Sequence, residues 1–224
     1  MQELLTSIRK NATGLAIFAV VTAGAIAATK IATEDLIAEN ILKAKTAALN
    51  EIVPESDYSN DLLNDTLELA GISDIDLLGP IADNAIAYRA RTSADAAAHT
   101  ILLPVSAPDG YTTKIDLIVG VKADGSLAGV RVIDHKETPG LGDKIDIKKT
   151  DWILSFNGKS LTSPDTNGWA VKKDGGEFDQ FSGATITPRA VVNAVKRSLE
   201  FFANNKTLLL DVTPVSTADE KIGE

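Results

Sequence analysis

The chain has 224 residues, a formal net charge of −9 and no cysteine. The lack of thiols excludes disulfides, thiolate zinc sites, iron–sulfur clusters and cysteine nucleophiles, and two histidines with one methionine leave little for a haem or a multi-histidine metal site. An acidic chain with scattered basic residues carries no nucleic-acid footprint, so neither a metal nor a nucleic-acid partner is expected.

Residues 11–29 hold no charge and lie between Lys10 and Lys30. As a helix this run is about 28 Å long at ~1.5 Å per residue, which matches the hydrocarbon core of a bilayer. A cleaved signal peptide is the competing reading, because Ala25-Ile26-Ala27 resembles a cleavage site. The preferred expectation is a retained transmembrane anchor over residues 11–30. Arg9 and Lys10 precede the span, whereas Glu34, Asp35 and Glu39 follow it with Lys30. That bias puts residues 1–10 in the cytoplasm and the body of the chain outside.

Thr33 is a candidate N-cap for a following helix with apolar positions Leu36, Ile37, Ile41, Leu42, Leu49 and Ile52, which Pro54 stops. Such a helix can also run on directly from the span. Residues 55–85 are rich in Asp, Asn and Ser and read as irregular chain with short helical turns. Together, residues 31–85 form a helical and irregular connecting region. Strand patterns begin at Ile86 and define an expected domain over 86–212. Candidates are Ile86–Arg89, Thr100–Val105, Lys114–Lys122 and Ala128–Ile133, the last two joined by the turn Ala123-Asp124-Gly125-Ser126.

That hairpin leads into His135-Lys136-Glu137-Thr138-Pro139-Gly140-Leu141-Gly142. Pro139-Gly140 suits a type II turn, and Gly142 keeps the backbone bare. Such a loop can lay N–H groups against a flat ligand, and it also reads as an ordinary surface turn. Residues 148–155 are a short helix candidate. Trp169–Lys172 and Glu177–Phe181 read as a second hairpin, which opens into Asp179-Gln180-Phe181-Ser182-Gly183-Ala184-Thr185-Ile186-Thr187-Pro188. Thr187 is a candidate N-cap and Pro188 a candidate first helical residue, placing a helix start beside small residues where an anion such as a phosphate is favoured. Taken alone, this stretch is also what a capped turn looks like. The last helix runs from Pro188 to about Ala203, burying Val191, Val195, Leu199 and Phe202, and ends at Asn204 and Asn205. Leu208–Val212 is a candidate edge strand, and residues 213–224 read as a flexible tail.

Hydrolase and nucleotide-loop chemistries lack their motifs. Ser182 has no Gly-x-Ser-x-Gly elbow, and no Gly-Lys-Ser/Thr or Gly-x-Gly-x-x-Gly run occurs. His99 and His135 read as structural, and the Asp-rich segments lack calcium-loop spacing. No catalytic residue is assigned.

Two stretches taken together, Glu137-Thr138-Pro139-Gly140-Leu141-Gly142 and Asp179-x-x-Ser182-Gly183-Ala184-Thr185 before a helix, resemble the FMN-binding domain of bacterial respiratory complexes. With the N-terminal span, Asp151-Trp152-Ile153 and the run from Gly183 to Arg189, the chain is most similar to the G-subunit family of the Rnf/Rsx ion-translocating electron-transport complexes. The resemblance covers about residues 1–205. A related alternative is the C subunit of the sodium-translocating NADH:quinone reductase. A cofactor-free anchored assembly or ligand-binding subunit is the reading from another class.

The resemblance implies an α+β fold: one N-terminal transmembrane helix, then an exported FMN-binding domain of antiparallel strands and packed helices. It implies FMN joined by a phosphoester to Thr185, with Ser182, Gly183 and Ala184 at the ribityl phosphate and Glu137, Thr138, Pro139, Gly140, Leu141 and Gly142 against the isoalloxazine. Asp179 is the motif acid, expected to assist attachment by orienting Thr185 or a magnesium ion in a separate flavin transferase that installs FMN from FAD. The implied role is electron relay between ferredoxin and NAD in an inner-membrane complex. Its partners would be the other membrane and redox subunits.

Overall fold

Alternation of apolar residues from Thr100 to Asp134 produces the centre of the structure. The computed structural model describes residues 2–93 and 96–211, and its sheet is five-stranded and antiparallel, in the sequential order β1 (Thr66–Glu68), β2 (Ile86–Ala90), β3 (Thr100–Ala107), β4 (Ile115–Lys122) and β5 (Leu127–Asp134). Period-2 alternation sends Ile101, Leu103, Val105, Val119 and Val121 to one face, and Leu102 and Ile118 to the other. Pro104 interrupts no ladder with β2, because that pairing ends at Tyr88↔Leu102. The four strands expected between Ile86 and Ile133 are found within two residues of their expected ends. The three-residue β1 lies in the segment expected to be irregular, alongside the short 3-10 helices Glu55–Asp57 and Ile75–Leu78.

The chain divides into two compact units, residues 1–45 and 46–224. The first is a stretch of α1 (Gln2–Ile52), which runs without a break through the position expected to be an N-cap. Thr33 instead donates its hydroxyl to the Thr29 carbonyl at 2.9 Å, as Thr13, Thr22 and Thr29 do to Arg9, Phe18 and Ala25. Satisfying hydroxyls inside the helix is what a non-aqueous surrounding requires. Asn11–Glu34, 24 residues, is long and apolar enough to cross a membrane, and Leu15, Phe18, Val21 and Ile26 are all exposed.

In the second unit, α2 (Ile186–Leu210) covers the face of β3 and β4 that carries Val119 and Val121. Val191, Val195, Leu199 and Phe202 are buried, as their spacing predicts. The opposite face is covered by Leu49, Ile52, Val53 and Leu62. Residues 46–85 are therefore part of this unit's packing. Two expectations fail at the end of α2. Asn204 and Asn205 do not stop it, because their amides bond Asp74 and Ser73 and hold the helix side against the 73–76 turn. Leu208–Leu210 are helical, so they form no edge strand; Val212 and the expected tail 213–224 lie outside the described residues.

A second hairpin is also absent. Residues 169–181 instead form a tight loop around the 3-10 helix Lys172–Asp174, closed by Lys172 N–H to Phe178 carbonyl at 2.7 Å and Phe178 N–H to Ala170 carbonyl at 3.2 Å. Its aromatic residues are drawn inward. Both tryptophans and three phenylalanines pack as one cluster, with Phe156–Phe178 ring centroids 4.6 Å apart and Trp152 edge-on to Phe181 at 5.2 Å. The short helix expected near 148–155 is 3-10, Asp151–Phe156, and the Thr150 hydroxyl caps it by accepting from Trp152 N–H.

Candidate functional site

The two motif loops are built from the same device. Thr138-Pro139-Gly140-Leu141 is closed by Leu141 N–H to Thr138 carbonyl at 3.1 Å, with Gly140 at φ 78°. Phe181-Ser182-Gly183-Ala184 is closed by Ala184 N–H to Phe181 carbonyl at 3.1 Å, with Gly183 at φ 80°. Positive φ at the third residue is the type II requirement, which glycine meets without strain. The turns touch: a Cβ built on Gly183 would lie 3.7 Å from Leu141 Cδ2.

Beneath them, one buried carboxylate ties the site together. Glu137 is 4% exposed. Its Oε1 accepts from Thr112 N–H at 3.1 Å, and its Oε2 accepts the hydroxyl of fully buried Thr187. Gly142 is glycine because a Cβ there would come within 2.8 Å of both Glu137 Oε2 and Thr187 Oγ1. Glu137 and Gly142 thus support the site from below. Thr138, Pro139, Gly140 and Leu141 lie on its surface. Asp143, also buried, accepts Gly140 N–H at 2.7 Å and steadies the first turn. His135 is structural: its Nδ1 accepts Glu137 N–H at 3.1 Å.

The helix start differs from the expectation. α2 begins at Ile186, so Thr185 holds the N-cap position, with Thr187 and Pro188 inside the first turn. Thr187 cannot cap because Glu137 takes its hydroxyl. Thr185, at φ −70° and ψ −26°, makes no side-chain capping bond either. The hydroxyl at the N-cap position is therefore not spent on capping the backbone, and Thr185 is partly exposed beside exposed Ser182 and Gly183.

Three contacts on the segment leading into the second turn are not legible in the sequence. The Trp152 indole N–H donates to the Asp179 carbonyl at 2.8 Å, and Lys172 Nζ pairs with Asp179 Oδ1 at 2.6 Å. Arg189 forks onto Asp174 at 2.6 and 2.9 Å, pinning the 172–175 turn to the first turns of α2. The Asp179 carboxylate is 69% exposed and faces Lys172. A tryptophan in an aromatic-poor chain was a signal for the first contact; only the folded loop reveals the other two. A separate cavity of about 430 Å3 is lined by Ile52, His99, Lys122 and Asp124 among others, and no motif residue borders it.

The arrangement offers a hydroxyl on a half-buried threonine, a bare glycine turn and a helix N-terminus, which suits a flat ligand that carries a phosphate. Comparison with known proteins supports FMN binding. The pattern of the FMN-binding domain matches residues 110–200, and that of the RnfG N-terminal region matches residues 1–52. A protein of Pseudomonas aeruginosa, named as the G subunit of an ion-translocating oxidoreductase complex, is 48% identical over 91% of this chain and 92% of its own length. Proteins of the same name from Vibrio vulnificus (47%, 93% of this chain and 95% of its own) and Pseudoalteromonas atlantica (44%, 92% and 93%) are similar throughout. The chain belongs to the family of G subunits of ion-translocating oxidoreductase complexes. Membership at full length favours that expectation over the C-subunit alternative. The FMN-binding match likewise opposes a cofactor-free subunit, and FMN fits the residues present.

Proposed function

We propose that this chain is the FMN-carrying electron-relay subunit of a membrane-bound ion-translocating oxidoreductase complex, with the FMN phosphate esterified to Thr185 Oγ1. The observation that carries the assignment to Thr185 is its hydroxyl, left without a capping bond at the N-cap position. Thr187, two residues on, is buried and bonded to Glu137, so it is no acceptor.

Bound FMN supplies reversible uptake of one or two electrons. The chain's own residues anchor and orient it. Attachment gives Thr185 an O–P bond in place of its O–H; with FAD as donor, the pyrophosphate bond breaks and AMP leaves. The ester keeps one negative charge near the N-terminus of α2, a modest contribution of about 0.3–1 kcal/mol beside the covalent bond. Ser182, Gly183 and Ala184 would lie along the ribityl phosphate. Thr138, Pro139, Gly140 and Leu141 would face the ring.

Exposed Asp179 stands ready for a separate flavin transferase, either to orient Thr185 or to meet a magnesium ion held by that enzyme. The Lys172 contact must be released first. The span crosses the inner membrane with the N-terminus inside, as the basic residues ahead of it favour, and covalency keeps the cofactor from diffusing away outside. Electrons enter and leave through neighbouring redox subunits of the ferredoxin/NAD complex, so the chain has no complete catalytic site of its own.

Intact mass of the native chain tests the attachment. The expected value exceeds the sequence mass by FMN minus water, and the Thr185→Ala chain should show neither this increment nor flavin fluorescence on a denaturing gel. Fluorescence retained in Thr185→Ala would remove that residue from the role. Protease added to spheroplasts should digest the domain; protection would reverse the orientation.

A further inference from the structure

Most large apolar side chains of the second unit are buried. Among the described residues from Thr46 onward, those left exposed are Tyr111 (67%), Leu141 (41%), Ile186 (45%) and Leu208 (47%). Single exposed hydrophobes need no explanation. Three of these four, however, lie on or beside segments that Glu137 ties together, two residues from Thr185. Ile186 is its chain neighbour. Leu141 reaches the Gly183 turn. Tyr111 precedes Thr112, whose N–H bonds Glu137 Oε1, and follows Gly110, where a Cβ would stand 3.1 Å from the same oxygen. Leu208 lies near the far end of α2.

We propose that Leu141, Ile186 and Tyr111 form an apolar platform for the dimethylbenzene side of the isoalloxazine, with Glu137 as the positioning residue that holds their three segments together. The proposal rests on the Thr185 assignment and adds Ile186 and Tyr111 to the site. The tether selects the occupant, since a ring on a short ribityl chain fixed to Thr185 stays beside Ile186. Size points the same way. Three side chains offer far less than the roughly 800 Å² per partner of a stable protein interface, but they match one flat aromatic face. The other edge of an isoalloxazine is polar and would be left to backbone groups and water. Glu137 acts indirectly: one oxygen sets the Gly110–Thr112 segment and the other sets the start of α2 through Thr187.

Hydroxyl-radical footprinting of the full-length chain in detergent tests the platform, comparing flavinylated protein with protein made without the transferase. Loading should suppress oxidation of Leu141, Ile186 and Tyr111 severalfold and leave Leu208 unchanged. Equal labelling of the three in both forms, with the adduct confirmed at Thr185 by peptide mass, would overturn the platform while sparing the attachment. An adduct elsewhere, or none, would remove both. As a second measure, iodide should quench the flavin of loaded Leu141→Ser and Ile186→Ser more strongly than that of the native chain. Unchanged quenching in both would also overturn the proposal. For Glu137, loaded Glu137→Gln should show a displaced flavin absorption maximum, a readout that fold stability alone would not move, and an unshifted spectrum would deny it the positioning role.

Discussion

Replacing Thr187 by valine keeps the side chain's shape and removes one hydroxyl. In the fold that hydroxyl donates to Glu137 Oε2, with Thr187 at 0% and Glu137 at 4% exposure, so no water can replace it. A hydrogen bond to a charged group contributes about 1.5–3 kcal/mol. For a unit of this size each kcal/mol moves the midpoint by about 2–4 °C, so Thr187→Val should melt roughly 3–12 °C lower. Tryptophan fluorescence reads the right unit, because Trp152 and Trp169 both lie in it. Measured on unloaded chains, Thr185→Ala should stay within about 0.5 kcal/mol of native, since its hydroxyl makes no capping bond. The two threonines therefore separate cleanly: one change removes stability and leaves the proposed acceptor, the other removes the proposed acceptor and leaves stability. A double-mutant cycle with Glu137→Gln should return a coupling of at least ~1 kcal/mol. Thr187→Val melting with the native chain, or a coupling near zero, would refute the account of Glu137 as the tie between loop and helix.

Gly142→Ala places a methyl 2.8 Å from Glu137 Oε2 and Thr187 Oγ1, and should cost about 1–3 kcal/mol by overpacking, read from the same melts. Asp65→Asn strips the charge that Arg89 and Arg91 share at 2.7 Å each while both guanidinium side chains stay 2–3% exposed; a loss of about 3–5 kcal/mol is expected in denaturant titration, as for other broken buried pairs. Hydrogen bonds from Arg189 hold the Asp174 carboxyl below its ordinary value of 3.8. The pair's contribution is thus complete above that value and is lost as pH falls through the depressed one. In Arg189→Gln the Asp174 carboxyl should titrate higher, back in the ordinary range, by carbon-detected NMR; an unmoved titration would show that the fork has no energetic weight.

The strands were legible because alternation over eight residues has one explanation, and β2 to β5 lie close to where their patterns put them. β1 was not, since three residues are too few to display a period. The apolar spacing around Trp169 and Phe178 looked like paired strands, but those side chains go into an aromatic cluster, which bends the segment into a loop. Asn204 and Asn205 looked like a helix end because their amides usually compete with backbone; here they are spent on the neighbouring 73–76 turn.

At the site, local residue pattern encoded the elements: the two glycine turns, whose positive φ is a property of residue type, and the stretch from Asp179 to Thr185 ahead of a helix. It also set the apolar span, because helix length and lack of charge are one-dimensional facts. Which hydroxyl is available was decided only by the tertiary structure. Thr187 has the better cap-like context in the chain, yet a carboxylate fifty positions earlier captures it in the core, and the N-cap position falls to Thr185. No local pattern encodes that bond, because it exists only once Glu137 has been carried off the end of β5 and buried against α2.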